Sequence, residues 1–457
     1  MITKKDESGL SELTSISPVH SQQQHKRHNL EDMVQKDSIP GDAELNELAN
    51  VSPVYTPRDE ESNPDRQLEH VIQQESNEHD RLPNSRAEES NQSSQSASAA
   101  KSRRTLLFTI SYLIFFSLLG TLARLGLQAL TFYPGAPVAF SEIWANLGGC
   151  IIMGFLAEDR QLFKNEWGTP KYDQAIQKAH QAADKSEYKV DLEAAKKAHS
   201  ATKKTIPMFI GLSTGFCGCF TSFSSFARDA FLAMSNNLSD PDAAQALPRH
   251  AGYSVMAVLA VIIATVAICM AGLSFGAHLA IATESIMSSL PFVTTRKWVD
   301  PAVVFLAFGS WLGAVLLAIF PPHDTWRGQA VFALAFAPIG CLFRWYLARQ
   351  LNTRSKSFPV GTFVANILGT AILGMSYDLQ HVPLGGIIGC QALQGVEDGF
   401  CGCLTTVSTW VSELNTLRRR HAYRYGLISV AGSISLLVVI MGSMKWTVGF
   451  KEQLCMK

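Results

Sequence analysis

The chain has 457 residues, and its 39 basic side chains are balanced by 39 acidic ones. A chain without net charge lacks the electrostatic footprint of a nucleic-acid binder, so nucleic acid is excluded as the main partner. The average hides two parts: residues 1–104 are rich in Ser, Gln, Asn, Asp and Glu, and apolar runs follow from about 105 onward.

The polar segment 1–104 buries too little apolar surface to offset its ordering entropy and is expected to be a disordered cytoplasmic tail. No apolar h-region follows Met1, so no cleavable signal peptide is expected. The apolar runs fall near 105–131, 138–157, 206–234, 251–282, 300–320, 328–349, 359–377, 384–412 and 425–449. A bilayer is crossed by about 20 helical residues, so this pattern predicts nine spans in an all-α integral membrane protein. Cations crowd alternate loops: Lys101, Arg103 and Arg104, a Lys-rich insert at 158–205, Arg296 and Lys297, Arg349, Arg354 and Lys356, and Arg418, Arg419, Arg420 and Arg424. The positive-inside rule then places the N-terminus in the cytoplasm and the C-terminus outside.

The apolar part repeats itself. Gly120-Thr-Leu-Ala-Arg124 matches Gly340-Cys-Leu-Phe-Arg344, and Trp144-Ala-Asn146-Leu-Gly-Gly149 matches Val364-Ala-Asn366-Ile-Leu-Gly369, both at an offset of 220 residues. Gly215-Phe-Cys-Gly-Cys-Phe-Thr-Ser-Phe-Ser-Ser-Phe226 matches Gly399-Phe-Cys-Gly-Cys-Leu-Thr-Thr-Val-Ser-Thr-Trp410 at an offset of 184. The smaller offset reflects the insert, which has no counterpart in the second half. A first repeat is read at 105–282, a linker with one unpartnered span at 283–325, and a second repeat at 326–450. Four spans, a ninth inverting span and four more make two four-helix antiparallel repeats of inverted topology. In the linker span, Gly309-x-x-x-Gly313 is expected to let another helix approach closely.

Nine cysteines are present, eight of them in predicted spans, where they read as small packing residues. Two Cys-Gly-Cys triplets, 217–219 and 401–403, lack the neighbouring His or Met that a soft-metal site needs. Thr221, Ser222, Ser224 and Ser225, with Thr405, Thr406, Ser408 and Thr409 in the second repeat, put four hydroxyls in five mid-span positions. With Gly218 and Gly402 they predict a third span broken in each repeat, its freed backbone groups facing an ion or protein. Asn146 and Asn366 suit either a passage lining or interhelical hydrogen bonding. Arg124 and Arg344 lie in apolar runs, where a charge is costly; snorkelling to an interface is their ordinary alternative. Glu397 and Asp398 stand where the first repeat has Ser213 and Thr214. Three roles are open to that pair: pairing with Arg344, supporting a cation, or capping a helix segment.

The duplicated Gly-Phe-Cys-Gly-x-x-Thr segment, the span-two Asn and the span-one Gly-x-x-x-Arg together resemble the fluoride channel family, over about 105–449 without the insert. The resemblance implies a passive, fluoride-selective channel of the plasma membrane that exports cytosolic fluoride and gives fluoride resistance. It implies no enzyme activity, and the chain is expected to function alone, with fluoride and the lipid bilayer as its partners. A proton-coupled fluoride antiporter is the alternative, and Glu397 and Asp398 would be cited for it. Asn146 and Asn366 match the family's passage asparagine, and Phe223 and Phe226 match its paired phenylalanines, replaced in the second repeat by Val407 and Trp410. Thr406, Ser408 and Trp410 belong to the same lining. Arg124 and Arg344 match an arginine near the vestibule. The backbone carbonyls of Gly218, Thr221, Gly402 and Thr405 match a structural sodium site, and no organic cofactor is implied.

Tyr425, Ser429 and Ser433 recur every four residues and share one helical face, like a hydroxyl track that lines the family's fluoride path. Aligned on Tyr253, the first repeat offers Ala257 and Val261 at the same steps, so one of two passages is expected to have degenerated.

Overall fold

The computed structural model describes residues 85–163, 202–238, 250–291, 295–321, 323, 327–382, 385–451 and 453. The tail up to residue 84 and most of the Lys-rich insert lie outside the described residues.

Every regular element among the described residues is helical. In chain order they are α1 (Ser85–Thr131), α2 (Glu142–Glu158), α3 (Pro207–Ile210), α4 (Gly218–Phe220), α5 (Phe223–Met234), α6 (Ala251–Ala282) and α7 (Asp300–Ile319). Then come α8 (Phe332–Leu351), α9 (Val360–Gln380), α10 (Gly386–Gly395), α11 (Gly402–Leu404), α12 (Ser408–Thr416) and α13 (Arg419–Thr447). Five helical stretches are long and apolar enough to cross a membrane: Ser102–Thr131, Ala251–Ala282, Lys297–Ile319, Val360–Gln380 and Arg419–Thr447. Over its described residues the chain is thus an all-helical, multi-pass membrane protein. The remaining expected spans fall short for visible reasons. Helix α2 has 17 residues, α8 carries Arg344 and Arg349, and the two third spans are interrupted.

Helix α1 starts at Ser85, some 20 residues before the apolar run. Residues 85–104 contain neither Gly nor Pro, so although serine is their commonest residue no strong breaker stops the helix from extending. Tyr112 Oη donates to Asp300 Oδ1 at 2.8 Å, which ties α1 to α7. Trp311 Nε1 donates to the Ala335 carbonyl at 2.9 Å and ties α7 to α8. Gly309 and Gly313 behave differently from expectation: no described atom lies within 4 Å of a β-carbon placed on either. The close helix approach their spacing suggested is not made among the described residues.

The largest core is aromatic and thiol-rich. It gathers Cys150, Cys217, Phe223, Phe226, Cys269, Trp410 and Tyr425 from both halves. The Phe223 ring meets Phe226 at 5.5 Å and Trp410 at 5.2 Å, both edge to face. Seven cysteines, including both Cys-Gly-Cys pairs, are buried free thiols.

Candidate functional site

The two broken spans meet at the centre. After α4, Thr221 and Ser222 are extended (φ −106°, ψ 144° and φ −133°, ψ 118°) before α5 begins. After α11, Thr405 is extended in the same way (φ −92°, ψ 160°). A helix that restarts inside a membrane protein bares its first N–H groups, which need acceptors. Each half supplies them to the other. Thr405 Oγ1 accepts from the backbone N–H of Phe223 (3.1 Å) and Ser224 (3.0 Å) at the start of α5. Thr221 Oγ1 accepts from the backbone N–H of Val407 (3.2 Å) and Ser408 (3.1 Å) at the start of α12. Each threonine also donates to the carbonyl four residues back, Cys217 at 3.1 Å and Cys401 at 3.0 Å. A hydroxyl has one donor and two acceptor sites, so both inventories are complete.

The asparagines brace the same breaks. Asn146 Oδ1 accepts from the Ser222 N–H and Asn366 Oδ1 from the Thr406 N–H, each at 2.9 Å. Their amide groups then differ. Asn366 Nδ2 donates to the Thr406 carbonyl at 3.3 Å, whereas Asn146 Nδ2 has no partner among the described residues.

Arg124 and Arg344, expected near a vestibule, are 0% and 3% exposed and reach across to the opposite half. Arg124 donates from Nε to the Cys219 carbonyl at 3.2 Å and from Nη2 to the Asp398 carbonyl. Arg344 Nη2 donates to the Thr214 carbonyl at 2.7 Å and approaches Cys219 Sγ at 3.4 Å. A β-carbon on Gly402 would overlap the Arg124 guanidinium, and one on Gly218 that of Arg344. Asp398 and Thr214 belong to π-helical turns, Val396–Cys401 and Gly211–Cys217. Such turns occur mostly as local bulges at functional sites.

The acidic pair resolves in a way that sequence reasoning did not foresee. Glu397 Oε2 faces Arg228 Nη1 at 3.7 Å, and its Oε1 accepts from Gln380 Nε2 at 2.6 Å. Asp398 Oδ2 accepts from Gln394 Nε2 at 2.7 Å. Neither carboxylate pairs with Arg344 among the described residues.

On α13, Tyr425, Ser429, Ser433, Leu437 and Met441 form one buried stripe at four-residue steps. Ser429 Oγ, Ser433 Oγ and Trp410 Nε1 are buried without a hydrogen-bond partner among the described residues. Buried polar atoms normally have partners, so three orphans around one aromatic cluster mark a place built for something polar. At the end of the stripe, Tyr425 Oη donates to Glu413 Oε2 at 2.7 Å and Thr362 Oγ1 donates to Glu413 Oε1 at 2.6 Å. Thr362 and Glu413 were missed in the sequence. Their signal was present: Thr362 precedes Asn366 by four residues and Glu413 follows Trp410 by three, spacings that share a helical face.

The first half corrects the alignment on Tyr253. That residue is 68% exposed, and the buried stripe of α6 runs through Val261, Thr265, Cys269, Leu273 and Ala277. A β-carbon on Gly154 would collide with the Leu273 carbonyl, and one on Gly374, its counterpart, with the Leu437 side chain. The counterparts of Tyr425, Ser429 and Ser433 are therefore Val261, Thr265 and Cys269, eight residues beyond the sequence alignment. Helix α6 is apolar on every face, and a single tyrosine was a poor landmark within it.

The sodium positions were tested against the same geometry. The carbonyls of Thr221 and Thr405 accept no hydrogen bond among the described residues and flank the contact between α4 and α11. Free oxygens on both sides of that contact fit a small hard cation. At Gly218 and Gly402 the opposing guanidiniums cover the Cα faces.

Buried hydroxyl and amide donors between membrane-spanning helices, with aromatic edges beside them, define a membrane protein suited to handling a small anion. The comparisons agree. The family model described as CrcB-like protein, Camphor Resistance (CrcB), matches the chain twice, at residues 111–277 and 331–443. The chain belongs to this family, and it is not an enzyme. It is 51% identical over 450 residues to fluoride export protein 1 of Neurospora crassa, covering 91% of this chain and 84% of that protein. It is 34% identical over 344 residues to fluoride export protein 1 of Candida albicans, covering 72% and 78%. The fluoride-specific ion channel FluC of Pseudomonas aeruginosa is 34% identical over 128 residues, 27% of this chain but 98% of that one. No solved structure matches the chain.

Proposed function

We propose that the protein is a passive, fluoride-selective channel that exports cytosolic fluoride across the plasma membrane and so gives fluoride resistance. The observation that carries this reading is the run of buried, unpartnered donors, Ser429, Ser433 and Trp410, beside Phe223 and Phe226. Fluoride is small and strongly hydrated, so its water shell must be replaced by fixed donors, and hydroxyl and amide groups suit an anion. Ring edges add a weak positive field that does not trap the ion as a lysine would. Neutral HF enters from acidic surroundings and ionises in the cytosol. The inside-negative potential, about 2.3 kcal/mol per charge per 100 mV, then drives the anion out.

The proposed architecture has nine spans: repeats at 105–282 and 326–450 in opposite orientation, α7 as the inverting span, a cytoplasmic N-terminus and an external C-terminus. Reciprocity supports it, because Arg124 meets Gly402 as Arg344 meets Gly218, and each broken span caps the other. The lining comprises Asn366, Thr406, Ser408, Tyr425, Ser429 and Ser433 with Phe223, Phe226 and Trp410, and Thr362 and Glu413 at one end. Asn146 belongs to a second, degenerate passage. Carbonyls of Gly218, Thr221, Gly402 and Thr405 would hold a sodium ion, whose charge would neutralise the carbonyl dipoles left free at the breaks. A single chain suffices in this reading.

Glu413 favours a second reading, proton-coupled antiport, because it is a buried carboxyl at the end of the hydroxyl stripe. Efflux from liposomes containing the purified protein separates the two. Both move charge, so both need a potassium ionophore. A channel only lets fluoride run down its own electrochemical gradient, whereas an antiporter, carrying a proton in for each fluoride out, drives fluoride uphill when a proton gradient is imposed.

A further inference from the structure

The second half places Thr362, Glu413 and Tyr425 together, and the same three places in the first half hold Glu142, Asp229 and Val261. The correspondence follows the offsets of 220 and 184 residues for the first two and the buried stripes of α6 and α13 for the third. In the second half one carboxyl has both oxygens covered by hydroxyls. In the first half a second carboxylate takes the place of the threonine, and a methyl-bearing side chain takes the place of the tyrosine.

The partners differ accordingly. Asp229 Oδ1 accepts from Arg228 Nη2 at 3.3 Å, and Arg228 turns its Nη1 toward Glu397. That cation is shared between two carboxylates and makes no ion pair with Glu142 among the described residues. Glu142 Oε2 accepts from Gln128 Nε2, while Oε1 is buried without a partner among the described residues. One turn along α2, Asn146 Nδ2 is likewise buried and unpartnered. The first passage therefore keeps an anion donor, and a bare carboxylate oxygen stands on the same helical face, four residues away.

We propose that Glu142 is the specificity-determining residue that closes the first passage to anions, by setting a buried carboxyl with an unpartnered oxygen one turn from the Asn146 amide. The loss of hydroxyls at Val261 and Cys269 alone does not close it, since Thr265 keeps one on the same stripe. A carboxyl oxygen is an acceptor, and repels an anion all the more when ionised in a poorly screened interior, so an anion meets repulsion where the second half offers the Thr362 hydroxyl. This inference rests on the reading that fluoride permeates through the second half.

The test is fluoride efflux from liposomes in a background silenced by Ser429→Ala with Ser433→Ala. Adding Glu142→Thr with Val261→Tyr rebuilds the second half's arrangement in the first and should raise efflux about tenfold or more above the silenced baseline, a barrier change of about 1.4 kcal/mol. Val261→Tyr alone should stay at baseline. If Val261→Tyr alone restores as much flux as the pair, the missing hydroxyl closes the passage and the proposal is overturned. It is equally overturned if the pair stays at baseline while the same pair, in an otherwise unaltered chain, leaves efflux intact. Should the pair abolish efflux in the unaltered chain, Glu142→Gln in the silenced background decides: flux above baseline supports the proposal, and baseline flux contradicts it. A silenced background that still conducts would refute the proposed permeation path instead.

Discussion

The two halves share a skeleton and differ in what they hang on it. Both break the third span at a threonine, both brace the break with an asparagine, and both press an arginine onto the other half's glycine. Along the fourth span they part: Tyr425, Ser429 and Ser433 face Val261, Thr265 and Cys269. The threonine and arginine contacts join the two halves, so losing one strands a buried polar group in the other, while each asparagine braces its own half. The divergent features line the halves' interiors, where a change costs transport through one passage and little stability. Duplication therefore conserves the joint and frees one lining to drift.

The comparison is broken most severely at the joint. Gly402→Val should abolish recovery of folded protein, because the new side chain occupies the space of the buried Arg124 guanidinium. Gly218→Val should do the same through Arg344. Monodispersity on size-exclusion chromatography is the readout. Gly309→Ala with Gly313→Ala is the contrast, since those positions are open and alanine favours the helix by about 1 kcal/mol each. An intact Gly402→Val protein would show that the reciprocal arginines do not hold the halves together.

A smaller effect is expected at the end of the second stripe. Tyr425→Phe removes a hydroxyl from Glu413, and an unreplaced hydrogen bond to a charged group costs about 1.5–3 kcal/mol. Efflux in liposomes should fall about tenfold or more. Val261→Phe, the same place in the first half, should change efflux less than twofold. Equal losses at the two places would remove the distinction between the linings.

Deleting residues 1–95 should leave efflux in liposomes unchanged, because every residue assigned to the passage or the joint follows Thr105. A correctly inserted deletion protein that fails to transport would place a working element in the tail.

What was legible in the sequence follows from contrast with its surroundings. Arginine, asparagine and glycine at fixed steps stand out in apolar helices, so Arg124 and Arg344, Asn146 and Asn366, and the two broken spans could be paired by offset alone. The helix α6 offered no such contrast, and the tyrosine used to align it proved to lie on the exposed face. Thr362 and Glu413 escaped notice because each is unremarkable until the fold brings α9, α12 and α13 together. The partner of Glu397 was equally illegible: Arg228 is 169 positions away, on the other repeat, and no periodicity links the two. Gly309 and Gly313 show the reverse error, a familiar spacing that serves no contact among the described residues.

The central claim is that transport runs through the second half's donors and not through their first-half counterparts. It is tested most directly by measuring ionophore-dependent fluoride efflux for two paired variants in the same liposomes. Ser429→Ala with Ser433→Ala should lower efflux by about a hundredfold, since two donor losses of about 1.5 kcal/mol each give about a factor of ten apiece. Thr265→Val with Cys269→Ala should leave it within about twofold of the unaltered protein, a barrier change under about 0.5 kcal/mol. If each pair instead halves the efflux, both passages conduct and the account of one working lining is wrong.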